Sequence, residues 1–520
     1  MRSKLISLAA ALMMAAAPLA AEDLVILTTN DTHSNIDPDA NGVGGVLPRM
    51  AIIDSVRKAE KNVLLVDAGD MVQGTLYFKY FKGDVEYPIF NMMKYDVRIL
   101  GNHEFDNGLD QLAKYWKTVK GNRLSANYDF SATPAKGIIK PYVIKKIGGK
   151  KVGIMGINVN PESLISKENY TGMKYQDAIA TANATAAELR RKGCDLVVAV
   201  THIGYEESEG KASDIKLARE SRDIDIMIGG HSHTFVDPAT PDKTPYWIEN
   251  AAGKPVLVTQ TGKYGKNVGY IKIDLDNLAG KQYDYEYIPV TDRFSPSAYN
   301  KEIRAFLAPY KAKVDSVNAR VIGYSAVDME NKREACPYAN WSGDFGSWFG
   351  RHVIDSLRAE GRDLPDLDMA IMNVGGIRQP MKRGPVTEGQ ILSTFPFSNR
   401  MRIIRIKGAD LLATMNIVAP KGGEAISGEA FVVMNDDEKV EHFLIGGSEV
   451  DPEREYVVAT IDYIAEGNDD MTPMAHHTEL WRDDREVCLR ILDYIGWLTR
   501  TGLEINPDPR LRFVKAAKNL

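Results

Sequence analysis

"VRILGNHEFDNG", residues 97 to 108, starts as a short apolar run and ends in a cluster of polar side chains bracketed by Gly101 and Gly108. The run suits a buried strand. The cluster offers Asn102, His103, Glu104 and Asp106 just past its end. The same order recurs four times in the first half of the chain. "LVILTT" (24–29) runs into "NDTHS", "NVLLVDA" (62–68) into "GDMVQG", "DLVVAV" (195–200) into "THIGYE", and "DIMIGG" (225–230) into "HSH". "KVGIMGI" (151–157) and "PVLVTQ" (255–260) read as further strands. Helical patterns separate these runs, among them "LPRMAIIDSVRKAE" (47–60), "LDQLAKYWKTV" (109–119) and "YQDAIATANATAAELRRKG" (175–193). Strand–helix alternation predicts a layered α/β domain. One stretch differs: "YVIKKIGGKKVGIMGI" predicts a hairpin turning at Gly148-Gly149.

In α/β sheets, ligands bind outside the carboxyl ends of the strands. Five polar motifs, each just after a strand, therefore predict one site. The histidines concentrate there: five of the nine, His33, His103, His202, His231 and His233, lie in these motifs. Four of these histidines together with Asp31, Asp70 and Asn102 form an oxygen and nitrogen donor set without thiolate, which suits Zn, Mn, Fe, Co or Ni. The set exceeds the four ligands of one structural Zn. Two ions sharing a bridging carboxylate would use the surplus, and such pairs, about 4 Å apart, clamp the attacking and leaving oxygens in phosphoester hydrolysis.

A chain of 520 residues is too long for one hydrophobic core, so two domains are expected. A net charge of −6 over that length argues against a nucleic-acid or anionic-membrane surface. At the start, Arg2 and Lys4 precede "LISLAAALMMAAAPLA" (5–20), which ends in small residues. This predicts a secretory signal peptide over 1–21, cleaved after Ala20 or Ala21, and a periplasmic or extracellular protein. No cysteine follows the apolar run and no hydrophobic tail closes the sequence, so no membrane anchor is expected. Cys194, Cys336 and Cys488 are far apart and read as buried free thiols rather than a disulfide framework.

Near residue 295 the pattern changes. "SPSAYNKEIRAFLAPYKAKVDSVNARVIG" opens with Ser and Pro and continues as one helical stripe, an interdomain connector over 295–319. Residues 22–294 then form the first domain and 320–520 a second one, of mixed strands and helices without regular alternation.

The five motifs "NDTHS", "DAGDMVQG", "GNHEFD", "THIG" and "GGHSH" resemble the signature of the calcineurin-like metallophosphoesterases, and within them the 5′-nucleotidase/UDP-sugar hydrolase family. The resemblance implies a four-layered α/β/β/α domain followed by an α+β substrate-binding domain of the 5′-nucleotidase type. It implies two divalent metal ions, of the Zn or Mn kind. Asp31, His33 and His233 would hold one and Asn102, His202 and His231 the other, with Asp70 bridging. Some members of the family place Gln where this chain has His233. His103 would act at the phosphoryl group or leaving oxygen. Asp106, three residues on, could accept a hydrogen bond from it, fix its tautomer and favour its charged form. Glu104 reads as structural or solvated, with a role behind the ligands as the alternative.

The second half carries further likenesses. "NVGGIRQ" resembles a substrate-contacting motif and points to Asn373 and Arg378, an Arg fork being suited to phosphate. "STFPFSNRMRIIRIKG" places Phe397 as one face of a base-stacking clamp, and "YIAEGNDDM" places Tyr463 opposite it with Asp469 at an acidic position. Arg333 would be the first substrate arginine. Asn468 and Asp470 stand where the family has glycines, and Met471 where it has an aromatic residue. The implied activity is hydrolysis of nucleoside monophosphates, or of UDP-sugars, to release phosphate. Alternatives on the same scaffold are a cyclic nucleotide phosphodiesterase or a thiosulfohydrolase, and, without catalysis, an exported nucleotide-binding surface protein.

Overall fold

Apolar runs as continuous as "LVVAV" need cover on both faces, and the structure places each such run inside a sheet. The computed structural model describes residues 23–162, 164–206, 210–280, 283–292, 300–333 and 337–516. The expected signal peptide, Cys336 and the opening of the expected connector lie outside the described residues. The chain divides into two units. The first takes the described residues up to Val72 with Gly83–Asn160 and Tyr170–Leu307. The second takes Gln73–Lys82, Pro161–Asn169 and the chain from Ala308 onward. The division falls inside the helix Asn300–Asn318.

The strands of the first unit are β1 (Asp23–Thr29), β2 (Asn62–Asp67), β3 (Val97–Ile99), β4 (Asn122–Leu124), β5 (Tyr128–Asp129), β6 (Tyr142–Ile147), β7 (Lys150–Asn158), β8 (Lys174–Tyr175), β9 (Leu196–His202), β10 (Ile226–Ile228), β11 (Trp247–Glu249), β12 (Pro255–Thr259), β13 (Asn267–Asp274) and β14 (Tyr283–Pro289). Among the described residues they form two six-stranded sheets, ordered β14-β13-β1-β2-β3-β4 and β11-β12-β10-β9-β7-β6, with β5 and β8 pairing apart. The run β1 to β4 is parallel, as is the run β7, β9, β10, β12. Strands β3 and β4 pack against β7 of the other sheet. The helix Val46–Ala59 covers β2, while Ala178–Arg191 and Asp214–Glu220 cover β7, β9, β11 and β12. The result is the implied α/β/β/α layering. Its core joins Ile26, Leu64, Val66 and Ile99 of one sheet with Ile154, Val198, Val200 and Met227 of the other.

The hairpin between β6 and β7 pairs Ile147 with Lys150. Its two turn residues, Gly148 and Gly149, have φ of 53° and 78°, the doubly left-handed turn that matches strand twist. Four strands of the two six-stranded sheets were not read from the sequence. β13 and β14 alternate buried with half-exposed residues, so they lack the solid apolar signal of the central strands. β4 and β11 are only three residues long.

The second unit holds a mixed five-stranded sheet of Ala425–Ile426, Met369–Met372, Glu455–Ile461, Arg400–Lys407 and Thr478–Glu486, in that spatial order. The long helix Pro337–Ala359 lies across the first three. A smaller sheet of Ser448–Glu449, Val440–Ile445, Ala430–Met434 and Phe513–Lys515 completes an α+β domain. Cys194 and Cys488 are buried free thiols.

Gly156 of β7 marks how closely the two sheets approach. A Cβ there would stand 2.6 Å from the carbonyl oxygen of Leu124 and 2.8 Å from Cγ2 of Ile99. Backbone cannot yield as a flexible side chain does, so Gly156→Ala should destabilise the protein by about 1–3 kcal/mol, the usual range for overpacking. Denaturant titration reads the loss, and an unchanged midpoint would mean that the seam is looser than described.

Candidate metal centre

The polar motifs occupy the carboxyl ends of both sheets. Asp31 and His33 follow β1, Asp70 follows β2, Asn102 follows β3, His202 closes β9, and His231 and His233 follow β10. The backbone there is unusual. Asp31, His33, Asp70, His231 and His233 have φ of 49°, 45°, 53°, 83° and 58°, a left-handed region that costs a non-glycine residue roughly 1–3 kcal/mol in the sparsest cases. Neighbouring loops hold them there. Asp31 N donates to Gly69 O (3.0 Å), His33 N to Asp70 O (3.0 Å) and Tyr264 N to Asp31 O (2.7 Å). Asn30 Nδ2 donates to Asp31 Oδ2 (2.6 Å), while its Oδ1 accepts from Thr261 N (2.9 Å).

Two sets of donor atoms converge. In the first, Nε2 of His33 and Nε2 of His233 lie 2.9 Å apart, and Asp31 Oδ1 lies 3.5 Å from the latter and 3.8 Å from the former. In the second, Asp70 joins His202 and His231, with Asp70 Oδ2 3.2 Å from His202 Nε2 and Asn102 Oδ1 3.0 Å from His231 Nδ1. Asp70 Oδ2 is also 3.9 Å from His33 Nε2, so one carboxylate reaches both sets.

The donors suit a cation. His202 Nδ1 donates to the Ala68 carbonyl (2.7 Å), which leaves Nε2 as the atom that holds either a proton or a cation. That Nε2 is buried and makes no hydrogen bond, although a carboxylate oxygen stands beside it. Buried atoms of this kind need a cation or a proton between them. The titration of the groups says the same. Burial alone would raise Asp70, but the charges of His202, His103 and His33 hold its carboxyl well below the usual range. Burial would lower His202, but Asp70 lifts it to about 10. Burial raises Asp31 to about 7, against the pull of His202. Burial and the neighbouring His202 push His231 down to about 3.

His103 stands at the same centre. Its backbone N donates to Asp70 Oδ1 (2.9 Å), and its Nδ1 lies 3.1 Å from Asp106 Oδ2. It also comes within ligand distance of His33 and Asp70, so position alone admits it either as a proton carrier or as a ligand. Glu104 is not solvated. It is buried and accepts from the backbone N–H of Asp70 (3.1 Å), Met71 (3.0 Å) and Gly101, tying together the loops that carry Asp70 and Asn102. Burial and the charge of Asp70 push its carboxyl up to about 8.

The second unit gathers most of the residues expected at the substrate. Asn373 Nδ2 donates to Asp469 Oδ2 (3.1 Å) and Tyr463 OH to Asp469 Oδ1 (3.0 Å). Phe397 lines a small cavity with Asn373, Gly376 and Phe395, and the Arg378 guanidinium lies 5.8 Å from its ring centre. Arg333 is paired with Glu424 and donates to Gly423 O (2.8 Å). Glu424 was missed in the sequence. Its buried carboxylate also accepts from Val374 N (2.7 Å), next to Asn373, so it anchors both Arg333 and the Asn373 loop. An acid inside "KGGEAISG", where the chain turns apolar, was the available signal. Asp469 and Asp470 have φ of 55° and 68°, which explains glycine as the expected residue at 470. Lys421 Nζ binds Asp470 Oδ2 (3.0 Å) and Asp469 O (3.1 Å) and holds the turn.

Residues 24–235 match the calcineurin-like phosphoesterase family and residues 321–477 the 5′-nucleotidase C-terminal domain. A 5′-nucleotidase of Rattus norvegicus is 28% identical over 425 residues, covering 75% of this chain and 70% of that protein. The solved structure of a 5′-nucleotidase precursor from Thermus thermophilus superposes with a TM-score of 0.81 at 27% identity, covering 96% of this chain and all of that one. A sulfate thiohydrolase from Thermus thermophilus shares the fold, with a TM-score of 0.70 at 14% identity over 97% of this chain and 98% of that one.

A cation held by His202 and Asp31 would have to displace the protons that these buried groups otherwise carry. His202, raised to about 10, carries its proton throughout the neutral range, and Asp31, raised to about 7, loses its own across that range. Metal uptake should therefore release protons, and affinity should rise with pH from about 6 to 8. Calorimetry in buffers of different ionisation enthalpy counts the protons. Uptake without proton release would mean that these groups are not the ligands.

Proposed function

The chain belongs to the calcineurin-like phosphoesterases and carries a 5′-nucleotidase C-terminal domain, and from that premise we propose that it is an exported 5′-nucleotidase holding two divalent cations. As a member of this family it is a metal-dependent phosphoester hydrolase. The proposal concerns its substrate, its metal count and its location. The observation that carries the reading is Asp70, whose one carboxylate lies beside histidines of both donor sets. Asp31, His33 and His233 would hold one cation, Asn102, His202 and His231 the other, and Asp70 both. Cations of the Zn or Mn kind suit these donors and would supply Lewis acidity toward the phosphoryl oxygens and the attacking water.

The chain's own residues do the remaining work. Asp106 orients His103, whose ring can hold a proton at the leaving ester oxygen. Arg378 and Asn373 would bind the substrate, together with Arg333, which is fixed by the Glu424 that also holds Val374 N next to Asn373. Phe397 and Tyr463 offer aromatic faces to a base, a sequence-tolerant grip. Asp469 holds Tyr463 and Asn373 to one another. Nucleoside monophosphates fit this set best, with UDP-sugars as the larger substrates it could take. The leader-like pattern over residues 1–21 supports export, and among the described residues no helix is long and apolar enough to cross a membrane.

The purified protein loaded with Mn or Zn should release phosphate from AMP, and a chelator should abolish the release. Silence across nucleoside monophosphates and UDP-sugars would refute the reading.

His103→Asn should keep both metals and lose on the order of 10²–10⁴ in turnover, the range for a positioned acid–base group. Loss of a metal from that variant would make His103 a ligand instead. The fold shared with a sulfate thiohydrolase keeps a second reading in view, and the aromatic pair separates the two. Phe397→Ala and Tyr463→Ala should raise KM for AMP, whereas unchanged KM in both would favour a substrate without a base.

A further inference from the structure

The motif residues supply the donor atoms, but they do not explain what holds His202 in register with the His231–His233 loop. His202 closes β9, whereas His231 and His233 follow β10 and sit in left-handed backbone. A residue outside every motif connects them. Asp214, the first residue of the helix Asp214–Glu220, is fully buried. Its Oδ1 accepts from Thr201 Oγ1 at 2.5 Å, and Thr201 immediately precedes His202. Its Oδ2 accepts from Gln260 Nε2 at 2.9 Å.

Gln260 carries the connection onward. Its Nε2 also donates to Gly230 O (3.0 Å), the residue before His231. Its Oε1 accepts from Ser232 Oγ (3.2 Å), the residue between His231 and His233. Ser232 Oγ in turn accepts from Tyr205 N (2.9 Å). Backbone closes the circuit: Asp214 N donates to Gly204 O (2.8 Å), and Gly204 N to Gly230 O (3.1 Å). The packing leaves no slack. A Cβ on Gly229 would stand 1.9 Å from Asp214 Oδ2 and 2.9 Å from Gln260 Nε2. Thr201, Asp214 and Gln260 are all buried, so each bond is made where water does not compete.

We propose that Asp214, acting through Thr201 and Gln260, is a positioning residue that sets the metal affinity of His202, His231 and His233. It rests on reading these histidines as ligands. Asp214 does not touch a metal. It fixes the separation of two strand ends, so that the imidazoles arrive already arranged and the left-handed loop does not relax when the metal leaves. Hydrogen-bonded groups behind the ligands of a metal centre usually govern affinity by 10–100-fold.

The test uses Asp214→Asn in the full-length protein. The amide keeps the size of the carboxylate but turns a donor toward Thr201 or Gln260. Zinc affinity is measured by competition with a chromogenic chelator, and thermal melting is measured on the metal-free protein. The expected result is a 10–100-fold loss of affinity with little change in metal-free melting. The double variant Asp214→Asn, Gln260→Met should bind no more weakly than the weaker single variant, because both act along one path. Affinity equal to that of the natural protein, additive losses in the double variant, or a loss that merely follows collapse of the metal-free fold would each overturn the proposal. His231→Ala is the control for the reading beneath it. Undiminished affinity in that control would refute the ligand reading, and Asp214 would fall with it. A weakened control beside an unaffected Asp214→Asn would refute Asp214 alone.

Discussion

The contact between Asp70 Oδ2 and His202 Nε2, 3.2 Å long and fully buried, sets the terms for the rest of the first unit. Asp70 follows β2 of one sheet and His202 ends β9 of the other, so the contact exists only if two sheets pack face to face with their carboxyl ends together. The shared core of Ile26, Leu64 and Val66 with Ile154, Val198 and Val200 supplies that packing. Glycine sets the final distance. A Cβ on Gly101 would stand 2.0 Å from Asp70 Oδ1, and one on Gly69 would stand 2.6 Å from Gly101 N. A side chain at either position would push the carboxylate away from the histidines. The hydrophobic seam and the metal centre are therefore one geometric problem, solved at Gly156 on the inside and at Gly69 and Gly101 at the end.

Bringing seven donors to one place has a cost that the backbone carries. Five of them occupy left-handed φ without being glycine, and loops free in water would leave that region. The structure answers with hydrogen bonds that run from loop to loop rather than along any one of them. Glu104 gathers three amides from the Asp70 and Asn102 loops. Asn30 ties the Asp31 loop to Thr261 and Gly262. Gln260 ties the His231 loop to Asp214. Each of these side chains is buried, where an unmade bond is expensive, so the loops are held by the penalty of release as much as by attraction. A site prearranged in this way would meet a cation without reorganising.

The sequence made the gathering of these donor side chains legible because metal chemistry needs particular side chains, and strand ends announce where they come together. "NDTHS" or "GGHSH" after an apolar run carries its meaning locally. The same holds for the central strands, whose apolar runs are unbroken. Legibility fails where the partner is distant. Glu104 reads locally as one polar residue among four, and only the fold shows that its carboxylate faces the amides of a loop 33 and 34 residues away. Glu424 and Asp214 are acids whose partners lie 50 and 46 residues off, and no spacing rule links them. The edge strands β13 and β14 are hidden for a different reason. Half of their residues face water, so their composition resembles that of a loop.

The turn at Asp469 and Asp470 shows how a backbone can be kept while its residues change. Left-handed φ at both positions favours glycine, which has no Cβ to clash, and glycine is what the resemblance leads one to expect at 470. Aspartate is among the few other residues that enter this region with little penalty. Here the side chain compensates further: Asp470 forms an ion pair with Lys421, which also binds the Asp469 carbonyl. The pair is partly exposed, with side-chain exposures of 40% and 42%, so its energy is small. Its value is directional. Two bonds from one ammonium fix the peptide between the aspartates and hence the direction in which the Asp469 carboxylate points, toward Tyr463 and Asn373. The departure from glycine therefore need not disturb the residues around Asp469, because the conformation, rather than the residue that adopts it, is what they depend on.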